Sequence, residues 1–79
     1  MDRKLAALLA DVFNLREADI TPGLDKADVG NWDSLKQMDL VMSLEREYAV
    51  ALEIPDIVRM TSVGAIMEVL RGKGVSLGD

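Results

Sequence analysis

Trp32-Asp33-Ser34-Leu35-Lys36-Gln37-Met38-Asp39-Leu40-Val41-Met42-Ser43-Leu44-Glu45-Arg46-Glu47-Tyr48 is the stretch on which the fold turns. Asp33 and Ser34 are both good N-cap residues, and no Gly or Pro interrupts the residues that follow, so the pattern predicts a helix from there to about Tyr48. On a wheel of about 100° per residue, Lys36, Asp39, Ser43, Arg46 and Glu47 gather on one polar side. Leu35, Met38, Leu40, Val41, Met42, Leu44 and Tyr48 spread over more than half the circumference. A helix this apolar is either the central member of a bundle or keeps part of its apolar arc for a partner.

Upstream, Leu5, Leu8, Leu9, Val12 and Phe13 recur at i, i+3, i+4, i+7 and i+8, which predicts a first helix over about Asp2 to Asn14. From Leu15 to Asp33 the periodicity dissolves into Thr21-Pro22-Gly23, Asp25, Asp28, Gly30 and Asn31, residues that favour turns. So long a loop needs a function or its own packing, for which Ile20, Leu24, Val29 and Trp32 are the candidates. Downstream, Pro55 suits the first position of a short helix, with Asp56 near its positive end and Ile57, Val58 and Met60 facing inward. Thr61-Ser62 then caps a last helix with a stripe of Val63, Ile66, Met67 and Leu70 that ends at Gly72, and the tail Lys73 to Asp79 is expected to fray. The fold class is therefore all-α: one domain over residues 1–79, a four-helix bundle with a long first loop and a short third helix.

Composition narrows the chemistry. The chain has 79 residues, 49% of them hydrophobic, with 14 acidic against 9 basic side chains and neither cysteine nor histidine. Ser-His and Cys-His nucleophilic pairs and ordinary zinc sites are excluded. A formal net charge of -5 and a pI near 4.5 disfavour nucleic acid and anionic membranes and favour a basic partner. Met1-Asp2-Arg3-Lys4 precedes only a short apolar run, Leu5 to Ala10, so no signal peptide is expected and the chain reads as soluble and cytoplasmic.

Taken together, Trp32-Asp33-Ser34-Leu35, the Leu44-Glu45-Arg46-Glu47-Tyr48 helix end, Ile54-Pro55 and Thr61-Ser62-Val63 resemble the acyl carrier proteins along nearly the whole chain. The resemblance implies an acyl-carrier-like bundle in which Ser34, flanked by Asp33 and Leu35, is esterified by 4'-phosphopantetheine taken from coenzyme A. It implies a non-catalytic, monomeric shuttle that holds acyl groups as thioesters. Its partners would be a phosphopantetheinyl transferase, a loading ligase or acyltransferase, and a ketosynthase or other acyl-processing enzyme. The Trp-Asp-Ser-Leu version is more similar to carriers of polyketide, nonribosomal or other specialised pathways than to those of fatty acid synthesis, and an aminoacyl or D-alanyl cargo is the alternative.

Physical logic supports the site, because a phosphodiester on Ser34 would sit at the positive end of a helix dipole. Leu35, Met38, Asp39, Met42 and Arg46 fall within about a 100° arc beside it, and Met side chains suit adaptable contacts, so this arc is the expected partner face. Lys36 and Arg46 break the acidic stripe typical of fatty acid synthase carriers, leaving Asp39, Glu45, Glu47 and Asp56 as docking acids. Acyl-pocket candidates are Met42, Ile54, Met60, Val63 and Met67, which are equally plain core positions.

Blander readings stand beside these. Asp33 and Ser34 serve equally as a simple cap, Met38 and Met42 as core fillers, and Trp32 as a lid on the bundle or a partner contact. A calcium loop starting at Asp25 fails, since Ala27, Val29 and Lys36 occupy ligand positions. A cofactor-free adaptor offering the apolar arc of the central helix explains the methionines but not the family pattern around Ser34. A carboxylate enzyme is disfavoured because the chain is too small to enclose a substrate.

Overall fold

Each helix begins where a short polar side chain satisfies its first free N–H groups. Asp2 accepts from the Leu5 N–H at 2.9 Å, Asp33 from the Lys36 N–H at 2.9 Å and Ser62 from the Ala65 N–H at 3.1 Å. In the computed structural model, which describes residues 1–78, these caps open α1 (Arg3–Phe13), α2 (Ser34–Tyr48) and α4 (Val63–Gly72). The short α3 (Ile54–Arg59) starts one residue before Pro55, and Asp56 closes its first turn by accepting from the Glu53 N–H at 3.0 Å. Asn14 and Ala49 end α1 and α2 in the left-handed conformation, at φ 57° and 54°.

The predicted stripes become the core. Leu5, Leu9, Val12 and Phe13 of α1, Leu40, Val41 and Leu44 of α2, Met60, and Val63, Ile66, Met67 and Leu70 of α4 form one buried cluster. Leu8 is only partly buried. Ser43, placed on the polar side by the wheel, is buried instead, on the face of α2 that shares a groove with Ala7, Leu8 and Val12 of α1. A small side chain there lets the two helices approach.

The long loop carries its own structure, as its length demands. It contains two 3-10 turns, Glu17–Asp19 and Lys26–Asp28, and it buries Ile20, Val29 and Trp32, with Leu24 partly covered. Its backbone is tied to the start of α4: Val63 N–H donates to Leu24 O, Gly64 N–H to Pro22 O and Lys26 N–H to Thr61 O, each at 2.9 Å. Gly64 suits this approach, since a Cβ there would lie 3.0 Å from the Pro22 oxygen and push the loop back by a few tenths of an ångström.

One expectation is corrected, and two others gain detail. Val58 is exposed rather than inward-facing, because α3 turns only one side to the bundle, and Ile57 is half-buried. Of the acyl-pocket candidates, Met42 and Ile54 point to solvent, whereas Met60, Val63 and Met67 are packed core. The segment from Lys73 to Gly78, expected to fray, lies against the bundle: Val75 and Leu77 pack on the core, and the Gly78 N–H donates to Asp2 Oδ2 at 2.9 Å. Asp79 lies outside the described residues.

Candidate functional site

Ser34 is the first residue of α2 and is exposed. Its hydroxyl is spared the capping role, because Asp33 takes it: the backbone there is extended, the carboxylate holds the Lys36 N–H, and the Asp33 carbonyl accepts from the Gln37 N–H at 2.9 Å. Asp33→Ala is therefore expected to cost about 1 kcal/mol of stability in urea unfolding, the usual loss for an N-cap.

The approach to Ser34 is held rigidly. Asn31 Nδ2 donates to the Phe13 carbonyl at 3.1 Å, and the buried Trp32 ring lies 4.4 Å from the Phe13 ring, tilted by 35°. Trp32 Nε1–H donates to Gln37 Oε1 at 2.7 Å, while Gln37 Nε2 donates to the Ile57 carbonyl at 3.0 Å and the Met60 carbonyl at 3.2 Å. One amide thus joins the loop, α2 and α3, using both its donors and its acceptor. Sequence reasoning missed Gln37. Its one signal was a long amide one turn into the helix, beside the apolar arc. Gln37→Leu keeps the volume but strands the Trp32 N–H and the Met60 carbonyl, while the Ile57 carbonyl keeps the Met60 N–H at 3.1 Å, so a loss of about 1–3 kcal/mol is expected in the same unfolding assay.

Two shallow grooves flank Ser34. One, of about 310 Å³, runs between the second 3-10 turn, α2 and α3; Ser34, Lys26 and Thr61 stand at its polar part and Met38, Ile57 and Val58 supply its apolar part. The other, of about 360 Å³, is lined on the outer face of α2 by Leu35, Lys36, Met38, Asp39 and Met42. Leu35 is 80% exposed, Met42 62% and Met38 51%, so the methionines are surface residues and not core fillers.

The structure brings Leu35, Met38, Asp39 and Met42 together but not the other two residues of the expected partner face. Arg46 lies on the α1 side, in a groove with Lys4 and Ser43, and its Nε is 3.4 Å from Glu47 Oε2. Asp56 is turned inward: its side chain is 14% exposed, with Lys73 Nζ at 2.9 Å and Arg59 at 3.3 Å. Glu45 is likewise engaged, accepting the Leu52 N–H at 2.9 Å.

The Glu53 N–H, and then Lys73, hold the Asp56 carboxyl below the ordinary value of 3.8. A carboxyl with a lowered native pKa stabilises the fold fully above its unfolded pKa and loses that contribution as pH falls through the native one. Asp56→Asn should therefore flatten the loss of stability below about pH 4, read from urea midpoints across an acid series.

The site is thus an exposed serine at the start of the second helix of a small bundle, with an apolar strip beside it. The family profile for a phosphopantetheine attachment site matches residues 3–70, and the chain belongs to that family, the acyl carrier proteins. It is 34% identical over 76 residues to polyketide-8 synthase acyl carrier protein 2 of Streptomyces avermitilis, covering 96% of this chain and 84% of that one. The solution structure of a holo acyl carrier protein from Geobacter metallireducens superposes with a TM-score of 0.78 at 26% identity, over 89% of this chain and 80% of that one.

The prosthetic group of the family is phosphopantetheine. The site fits it: Ser34 is open to solvent, the α2 N-terminus favours an anion, and Ser34 lines a groove shared with a cation, Lys26, and with apolar side chains. Among the described residues, no helix is long and apolar enough to cross a membrane, and no cluster of His, Cys, Asp and Glu could hold a metal ion.

Proposed function

We propose that this chain carries acyl groups, polyketide units foremost, on a phosphopantetheine arm esterified to Ser34. The observation that carries the reading is the position of Ser34: exposed, relieved of capping by Asp33, and bordered by the unpaired strip of Leu35, Met38 and Met42. The likeness to a polyketide synthase carrier supports the cargo.

The residues divide the work. Asp33 fixes the start of α2 and leaves the Ser34 hydroxyl exposed, where a phosphopantetheinyl transferase would take its proton and join its oxygen to the phosphorus next to pantetheine, as the pyrophosphate bond of coenzyme A breaks and adenosine 3',5'-bisphosphate leaves. The free N–H groups of the first turn stabilise the resulting phosphodiester. When attached, the group supplies the thiol that this cysteine-free chain lacks, and with it a thioester link to the cargo. Leu35, Met38 and Met42 offer a small apolar patch to the transferase, a loading acyltransferase or ligase, and a ketosynthase. Asp39 at its edge favours a basic counterpart, and the limited area suits visits that end. The reactions themselves belong to these partners.

The absence of cysteine gives a direct assay. Thiol titration should read zero before treatment with coenzyme A, magnesium and a transferase, and one per chain afterwards. The thiolated chain should then accept malonyl or short acyl groups from an acyltransferase. Charging by an amino-acid-activating ligase instead would replace the acyl cargo with an aminoacyl one, and a chain that gains no thiol would contradict the reading.

A further inference from the structure

The groove between the second 3-10 turn, α2 and α3 has a charge pattern that carrier function alone does not demand. Lys26 opens that turn, and its backbone N–H is spent on the Thr61 carbonyl, which holds the residue at the groove. Its two acidic neighbours are turned to the backbone: Asp25 accepts from the Ala27 N–H at 2.9 Å, and Asp28 from the Asp25 N–H at 3.0 Å. None of the ion pairs found among the described residues uses Lys26. An exposed cation therefore shares a groove with Ser34, in a chain of net charge -5. The same groove is also lined by the apolar Met38, Ile57 and Val58.

We propose that Lys26 pairs with the phosphodiester of the arm and seats the arm's near part in this groove against Met38, leaving Leu35 and Met42 on the outer face of α2 clear for partners. The proposal rests on attachment at Ser34. Its occupant is argued from connectivity, since the anion is tethered to a residue of the groove itself, and from complementarity. The cation meets the phosphate, and the apolar part meets the methyl-bearing segment that follows it. Lys26 acts here as a positioning residue.

The experiment compares wild type, Lys26→Ala and Lys26→Arg before and after conversion by a transferase. Lys26 is exposed and contributes only its backbone to the fold, so both variants are expected to fold. Intact mass first reports attachment. The phosphodiester 31P transverse relaxation rate and the methionine methyl 13C shifts then report seating.

In the wild type, conversion is expected to shift the Met38 methyl and leave those of Met42 and Met67 in place. In Lys26→Ala the ratio of seated to free arm is expected to fall by about twofold or more, the scale of a lost exposed ion pair, so that the 31P rate and the Met38 shift both move towards their free-arm values. Lys26→Arg restores both, and high salt reproduces the loss in the wild type. Equal 31P rates and equal Met38 shifts in converted wild type and Lys26→Ala would overturn the inference while leaving attachment intact. Failure of the wild type to gain mass would overturn both.

Discussion

Ser34→Ala is expected to keep the fold and lose loading entirely. The side chain is exposed at the first turn of α2, and the cap it adjoins is made by the carboxylate of Asp33. Alanine is the best helix former, so the substitution falls within the roughly 0.5 kcal/mol range of surface changes. Attachment, by contrast, needs an oxygen nucleophile at this atom, and alanine offers none. Far-UV circular dichroism and the urea midpoint should match wild type, while the fraction converted by a transferase drops from near completion to nil. Helical signal lost in this variant would show that Ser34 holds the fold, and would end the separation of scaffold from attachment point.

Trp32→Ala is expected to show the largest loss of stability. The indole is buried, its ring contacts Phe13, and its Nε1–H holds Gln37. Removing a buried aromatic ring costs about 3–5 kcal/mol, a large share of the roughly 4–12 kcal/mol expected for a chain of this length. Trp32→Phe should recover most of it, leaving the unmatched Gln37 oxygen as a residual loss of about 1–2 kcal/mol. Unfolding is followed by circular dichroism, because Trp32 is the sole tryptophan. An alanine variant as stable as wild type would contradict the view that Trp32 anchors the loop, and would make its ring available to partners.

The same residues show where the sequence speaks and where it stops. In α1 and α4 the apolar spacing is unambiguous, and Leu5, Leu9, Val63, Ile66 and Leu70 are all fully buried. Such helices touch the bundle on one side, so period and burial coincide. On α2 the arc is too wide for that inference. Leu40 and Leu44 are core while Leu35, Met38 and Met42 are surface, a division set by where α1 and α3 pack rather than by side-chain type. Ser43 is misread for the same reason.

Ser34 stands out as a candidate in the sequence because its neighbours form a local pattern. Gln37 does not, since its meaning lies in the carbonyls of Ile57 and Met60, distant in the chain. Asp56 and Arg46 looked available as charges on a wheel, yet Lys73 and Glu47 supply partners that a wheel does not display.

The central claim is that Ser34 bears the arm, and fragmentation mass spectrometry tests it most directly. After incubation with coenzyme A, magnesium and a broad-specificity phosphopantetheinyl transferase, the intact chain should gain the mass of one phosphopantetheine, with the fragments placing it on Ser34. A folded chain that gains nothing, or that carries the group on Ser43, Ser62 or Ser76 instead, would contradict the account.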